Sequence, residues 1–170
     1  MPVIRGESNV NPLTPERRHS LLDRLEQELS GQGAVNAPVI FEIPLEQSNR
    51  IDVLVVWHEW DGVASEDRTD LILESYRDQR ERIAQALGAT YMEAKDQHLL
   101  PYSVVPMIRR SDVDPSRVRE VMLGEGGIAL PDGKVDLRFP TMRMAEAAHR
   151  RLYERLPEGH WSIEMAAPAL

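Results

Sequence analysis

The sequence of 170 residues contains no cysteine. This absence excludes disulfide bridges, thiolate nucleophiles, and zinc or iron–sulfur sites that are held by cysteine. No apolar run approaches the roughly 18–20 residues that a membrane-spanning helix needs. The first twenty residues also lack the apolar core of a signal peptide. We therefore expect a cytoplasmic protein that does not use a membrane and holds no cofactor.

Positive charge is scarce relative to negative charge. The chain has 20 Lys and Arg against 28 Asp and Glu, which gives a formal net charge of −8. Because an acidic surface repels phosphate backbones, we expect no general nucleic-acid binding. The hydrophobic fraction is 42%, close to that of ordinary globular domains, so a chain of this length should bury a substantial core.

Residues 1–13 are polar, and we predict a flexible N-terminal arm followed by a single α+β domain over residues 14–166. Thr14 and Pro15 are typical of a helix start, and four leucines then follow at helical spacing until Gly31. Alternating and apolar runs predict a hairpin of strands 39–44 and 51–57. A long helix is predicted from Ser65 to Gly88. The remaining pattern predicts helices at 90–98, 115–123 and 141–156, and strands at 102–108, 134–139 and 160–165.

This order of elements predicts an α+β fold with a single mixed or antiparallel sheet and helices packed mainly on one face. Counted from Ile51, the elements fit a ferredoxin-like βαββαβ order. Counted over residues 15–108, they fit a class II KH-like αββααβ order with a C-terminal βαβ extension. The ferredoxin-like order leaves little room beside strand 51–57 for its hairpin partner, and both orders stay open.

The segment VLVVWHEWDGVASEDRTDLILESY, residues 53–76, resembles the strand–turn–helix segment of the BolA family. The turn of that family is matched by Trp60, Asp61 and Gly62. Arg68 matches the arginine of the family's Arg-His pair, whereas the histidine is replaced by Thr69. That histidine is the proposed iron–sulfur ligand beside a glutaredoxin partner. The resemblance implies a KH-like fold, and Thr69 puts the iron–sulfur role in doubt.

Two groups of residues are candidates for ligand binding. His58, Glu59 and Asp61 follow a predicted strand and could form an acid–base group or a site for a hard metal. The alternative is a strand end with aromatic anchors that leads into an acidic turn. Four arginines could bind an anion bidentately, although acidic neighbours could neutralise them. These arginines are Arg109, Arg110, Arg117 and Arg119.

The second face of the predicted sheet is partly apolar. The residues expected there are Ile40, Leu54, Val56, Val105 and Met107. A patch of this kind usually marks an interface unless another element, such as the helix at 15–29, covers it. We therefore predict a non-enzymatic module that acts through protein–protein contacts, with another protein or by self-association as a homodimer. The alternative is a small enzyme or an anion- or ligand-binding domain with a pocket near the ends of strands 51–57 and 102–108.

Overall fold

The computed structural model describes residues 12–32, 37–107 and 113–166. These residues form an α+β fold, as predicted, with helices and strands in several small sheets. The chain divides into two compact units, residues 1–93 and 94–170. Among the helices of the described ranges, none combines the length and the apolar composition of a membrane-spanning segment.

The first unit contains a three-stranded sheet and two α-helices. Its elements are α1 (Pro15–Leu29), β1 (Val39–Pro44), β2 (Ile51–Val56), α2 (Ser65–Ser75) and β3 (Ile83–Ala89). The strands β1 and β2 form the predicted antiparallel hairpin, and β3 pairs with β2 in parallel. The strand order is therefore β1-β2-β3. A short helix, α3 (Tyr91–Asp96), crosses the boundary between the units.

Helices α1 and α2 pack against one face of this sheet, and together they form a single hydrophobic core. Thr14 caps α1 by accepting a hydrogen bond from the backbone N–H of Arg17. Leu21 and Leu25 then pack into the cluster that contains Val53 of β2. Residues 1–11 of the predicted arm lie outside the described residues, and Leu13 packs against the same core. The single domain over residues 14–166 stays a prediction.

The prediction of a long helix that ends at Gly88 is wrong. Helix α2 ends at Ser75, a 3-10 turn covers Arg77–Arg82, and β3 follows. In β3, Ala86 and Gly88 lie beside Val53 and Val55 of β2. Small residues fit this buried parallel pairing, and the tertiary contact outweighs the helical preference of alanine.

The end of α2 depends on a left-handed residue. Arg77 has a φ of 43°, in the left-handed region that disfavours residues other than glycine. Its guanidinium donates to both carboxylate oxygens of Glu26 on α1, at 2.9 and 3.0 Å. The ion pair thus ties α1 to the C-terminal end of α2.

Substituting Arg77 separates these two contributions. Arg77→Ala loses the ion pair and keeps the backbone strain, whereas Arg77→Gly loses the pair and relieves the strain. We expect Arg77→Gly to be more stable than Arg77→Ala by about 1 kcal/mol. Urea unfolding of both variants checks this order. Equal stability of the two variants would show that the backbone at this position carries no strain.

The predicted apolar sheet face is corrected in three respects. Ile40 pairs with Val55 and packs against the helix-covered core, so it lies on the opposite face. Leu54 and Val56 are 5% and 3% exposed, and therefore do not form a solvent-facing patch. Val105 and Met107 belong to or follow a strand of a different sheet. The alternation of β1 placed Ile40 incorrectly because the pairing register was not known.

The second unit is built around a second small sheet. Its elements are β4 (Tyr102–Pro106), α4 (Pro115–Gly124), β5 (Ile128–Ala129), β6 (Val135–Asp136), β7 (Arg138–Phe139), α5 (Met142–Arg155) and β8 (Trp161–Met165). The order β7-β4-β8 is antiparallel throughout, and β5 pairs with β6. The predicted strand 134–139 is divided into β6 and β7. The described residues therefore form three small sheets in place of the single sheet that we predicted.

The helix α5 supplies the core of the second unit. Thr141 caps it by accepting from the N–H of Met144. Ala148 and Leu152 are fully buried on its inner face. The helix contacts β4, β7 and β8. Its outer face carries polar residues that are exposed to solvent.

Candidate functional site

The turn after β2 is anchored by two buried tryptophans. Trp57 and Trp60 are 2% and 0% exposed, and their rings meet edge to face at 5.2 Å. The indole N–H of Trp60 donates to the carbonyl of Val55 at 3.2 Å. A glycine with a φ of 74°, Gly62, completes the turn. The local sequence thus builds a rigid end for the strand.

Within this turn, Glu59 contacts two arginines and a histidine. Its carboxylate lies 3.2 Å from Nε2 of His58, 3.3 Å from Arg24 and 3.6 Å from Arg17. Both arginines come from α1, so the contacts fasten that helix to the turn. His58 is 62% exposed, and Asp61 is exposed without an ion pair in the described ranges. Of the three predicted ligand residues, Glu59 therefore already has partners, and one of these partners is His58.

The residues that resemble the BolA motif take structural positions. Arg68 is buried at 7% exposure, and its Nε donates to the carbonyl of Val63 at 2.8 Å. Its guanidinium also donates to Gly88 and forms two hydrogen bonds with Glu93, at 2.5 and 3.2 Å. Thr69 donates its hydroxyl to the carbonyl of Ala86. These contacts join α2 to β3.

Glu93 has a second set of contacts. Its carboxylate accepts from the N–H of Thr90, and the Thr90 hydroxyl accepts from the N–H of Glu93, which is a capping box at the start of α3. The hydrogen bond from Arg68 is the main cause that holds the pKa of Glu93 below its ordinary value of 4.5. The pair is thus ionised and structural in this environment.

The predicted arginine cluster is only partly visible. Arg109 and Arg110 lie outside the described residues. On α4, Arg119 donates to the backbone carbonyl of Gly133, in the turn between β5 and β6. Arg117 is exposed and has no ion pair within the described ranges. Arg119 therefore already has a backbone partner, whereas Arg117 remains exposed.

A set of residues that the sequence analysis did not combine lines one depression on α5. The depression is open, has a volume of about 400 Å³, and is lined by Arg143, Glu146, His149 and Arg150. These positions repeat at helical spacing, so one polar helix face was the signal that could have found them. Nε2 of His149 lies 2.9 Å from the carbonyl oxygen of Trp161 on β8.

The free edge of β8 is the second feature that the sequence analysis missed. Met107 donates its N–H to the carbonyl of His160, and Ala166 donates to that of Pro101. In an antiparallel pair, backbone groups of alternate residues point to opposite sides of the strand. The N–H and C=O groups of Ile163 and Met165 therefore point away from β4. They have no backbone partner among the described residues.

In the described parts of the chain, no group of three or more His, Asp or Glu side chains could hold a metal ion. No protein-family model matches the sequence, and no curated protein or solved structure matches it. The resemblance to the BolA family therefore stays a prediction.

Proposed function

We propose that the chain is a non-enzymatic module that acts through protein–protein contacts, and that it forms a homodimer through the free edge of β8. The observation that carries the proposal is the row of outward N–H and C=O groups at Ile163 and Met165. An unpaired strand edge is a template for pairing with another strand. Met165 is also 62% exposed, which adds apolar surface at this edge.

The other edges are better protected. Prolines at positions 38 and 44 flank and end β1, and proline has no N–H to donate. Three carbonyls of β3 already accept hydrogen bonds from side chains; these are the carbonyls of Ile83, Ala86 and Gly88. β7 has only two residues. By contrast, β8 has five residues and no proline.

The charge distribution also favours a contact through the second unit. Residues 1–93 contain 9 Lys and Arg against 17 Asp and Glu, which accounts for the whole net charge of −8. Residues 94–170 contain 11 of each kind. Two copies that meet at β8 therefore bring together units of balanced charge. Contact between two first units would instead bring together surfaces of like charge.

The strand is compatible with pairing to itself. An antiparallel arrangement about a two-fold axis at Ile163 places Trp161 of one copy opposite Met165 of the other. Ser162 then lies opposite Glu164, so the two Glu164 carboxylates do not face each other directly. The carbonyl of Trp161 accepts from His149 and retains a second lone pair for this contact.

A proline substitution tests this contact. Ile163→Pro removes an N–H that points away from β4, so the pairing within the subunit is kept while the proposed intersubunit bond is lost. We expect wild-type protein to have about twice the 19.3 kDa mass of one chain, and Ile163→Pro to be monomeric. Light scattering after size-exclusion chromatography measures both masses over a range of concentrations.

Ile163→Ala is the matched control, because it removes the same side chain and keeps the backbone N–H. It should remain dimeric, or dissociate at a higher concentration than wild type and a lower one than Ile163→Pro. A wild-type protein that is monomeric at all concentrations would refute the homodimer. A dimer that survives in Ile163→Pro would place the interface elsewhere.

A further inference from the structure

We infer that the depression on α5 is a binding site for a small phosphate-bearing ligand with at least two anionic groups, such as a diphosphate. This site shares one contact with β8, the hydrogen bond between His149 and the carbonyl of Trp161, and it does not require the proposed dimer. Its volume of about 400 Å³ lies in the range of small-molecule sites. Its lining contains two arginines and a histidine against one glutamate.

The two arginines are available for a ligand. Within the described residues of the second unit, Arg138, Arg151 and Arg155 form ion pairs with Asp136 or Glu125. Arg143 and Arg150 form no ion pair with any described residue. Guanidinium groups bind phosphate oxygens bidentately, and such charge-assisted bonds are stronger than neutral ones.

The spacing of the arginines selects the size of the ligand. Arg143 and Arg150 are seven residues apart on one helix, which separates their backbones by about 10 Å along the axis. Their long side chains can reach two adjacent phosphate groups, which offer more oxygen acceptors to the two guanidinium groups than one small anion does. Glu146 lies between them and opposes a weakly charged anion. These distances favour a diphosphate over a monophosphate.

His149 borders the two arginines in the depression, and contacts with neighbouring residues fix its ring. Because a carbonyl oxygen only accepts hydrogen bonds, the 2.9 Å contact with Trp161 requires that Nε2 of His149 carries the proton. The ring is further held by an edge-to-face contact with Tyr153 at 4.9 Å. The imidazole is therefore oriented in advance by its contacts with Trp161 and Tyr153.

The local charge supports an anion site despite the acidic composition of the chain. The excess of 8 acidic residues is confined to residues 1–93, and residues 94–170 are balanced. At physiological ionic strength, salt largely screens interactions between exposed charges that are more than about 8 Å apart. Nearby groups therefore affect a bound anion more than distant charges do. The net charge of −8 therefore does not prevent anion binding at α5.

Titration calorimetry with inorganic pyrophosphate and with inorganic phosphate, at constant ionic strength, tests the inference. We expect pyrophosphate to bind more tightly than phosphate, and the double variant Arg143→Gln/Arg150→Gln to weaken pyrophosphate binding by about tenfold or more. Glu146→Gln should tighten binding, because it removes the opposing charge. All three changes are at exposed positions, and circular dichroism verifies that the variants are folded.

The matched control is Arg117→Gln, which removes one positive charge from an exposed, unpaired arginine on α4 outside the depression. It should leave the affinity unchanged within about twofold. The inference is overturned if wild-type protein does not bind pyrophosphate. It is equally overturned if the double variant binds like wild type, or if Arg117→Gln weakens binding as much as the double variant does.

Discussion

Replacing Arg68 with alanine is expected to destabilise the first unit by about 2–4 kcal/mol. The side chain is buried and donates to the carbonyls of Val63 and Gly88 as well as to Glu93. The substitution leaves two backbone acceptors without their partner and opens a cavity between α2 and β3. Each of these losses adds to the loss of the ion pair.

Urea unfolding followed by tryptophan fluorescence in a Trp161→Phe background measures this effect, because the two remaining rings, Trp57 and Trp60, lie in the core of the first unit. The matched control is Arg18→Ala, which breaks the ion pair of Arg18 with Glu74, where both side chains are more than 40% exposed. An exposed pair contributes about 0–1 kcal/mol. The role assigned to Arg68 is incorrect if both variants lose the same stability.

The same pair makes stability depend on pH in a defined direction. The pKa of Glu93 is lowered in the folded state by its hydrogen bond from Arg68. The contribution is therefore complete above the unfolded pKa, near the ordinary value of 4.5, and it is lost as the pH falls through the folded pKa. The difference between wild type and Arg68→Ala should accordingly become smaller in acid.

Gly159→Ala is expected to destabilise the second unit by about 3 kcal/mol, at the upper end of overpacking costs. A Cβ at this position would lie 2.2 Å from Cη2 and 2.5 Å from Cζ3 of Trp161. The Trp161 ring is 3% exposed and meets Tyr153 edge to face at 5.4 Å, so it cannot simply turn away. Either β8 or the preceding turn has to shift.

Urea unfolding followed by circular dichroism measures this change, and Glu158→Ala serves as the neighbouring control at an exposed position. The control should lie within about 0.5 kcal/mol of wild type. If Gly159→Ala unfolds at the same urea concentration as the control, the close approach of Gly159 to the indole ring is not required for the fold.

Local signals in the sequence were sufficient for several elements. Thr14 and Pro15 mark the start of α1 as predicted, and the helix predicted from residue 141 begins with Thr141 as its cap. The hairpin of β1 and β2 followed from alternating apolar residues. These signals act within a few residues, so they survive without knowledge of the tertiary fold.

The errors arose where distant contacts decide the structure. The segment 83–89 contains three alanines and no run of β-branched residues, so its own preference does not indicate a strand. It becomes one because β2 supplies a partner and α2 covers the pair. In the same way, Ile40 was assigned to the wrong face because its register with Val55 depends on the pairing of β1 with β2.

The candidate sites likewise combine features that have a local sequence signal with features that depend on distant contacts. The polar positions of α5 could have been combined from their spacing, but that spacing does not show that Arg143 and Arg150 lack ion-pair partners. The outward N–H of Ile163 is likewise invisible in the sequence, because it depends on which neighbour β8 pairs with. Conversely, Glu59 looked available for chemistry and is instead paired with cations from α1.

Glu93 takes part in one contact that is local in sequence and in another that joins distant parts of the chain. Its capping box with Thr90 begins a helix of six residues, which is too short to be stable alone in water. Its bond with Arg68 spans 25 residues of the chain. Because one carboxylate serves both, the start of α3 and the docking of α2 on β3 are thermodynamically coupled. They therefore belong to one cooperative unit of folding.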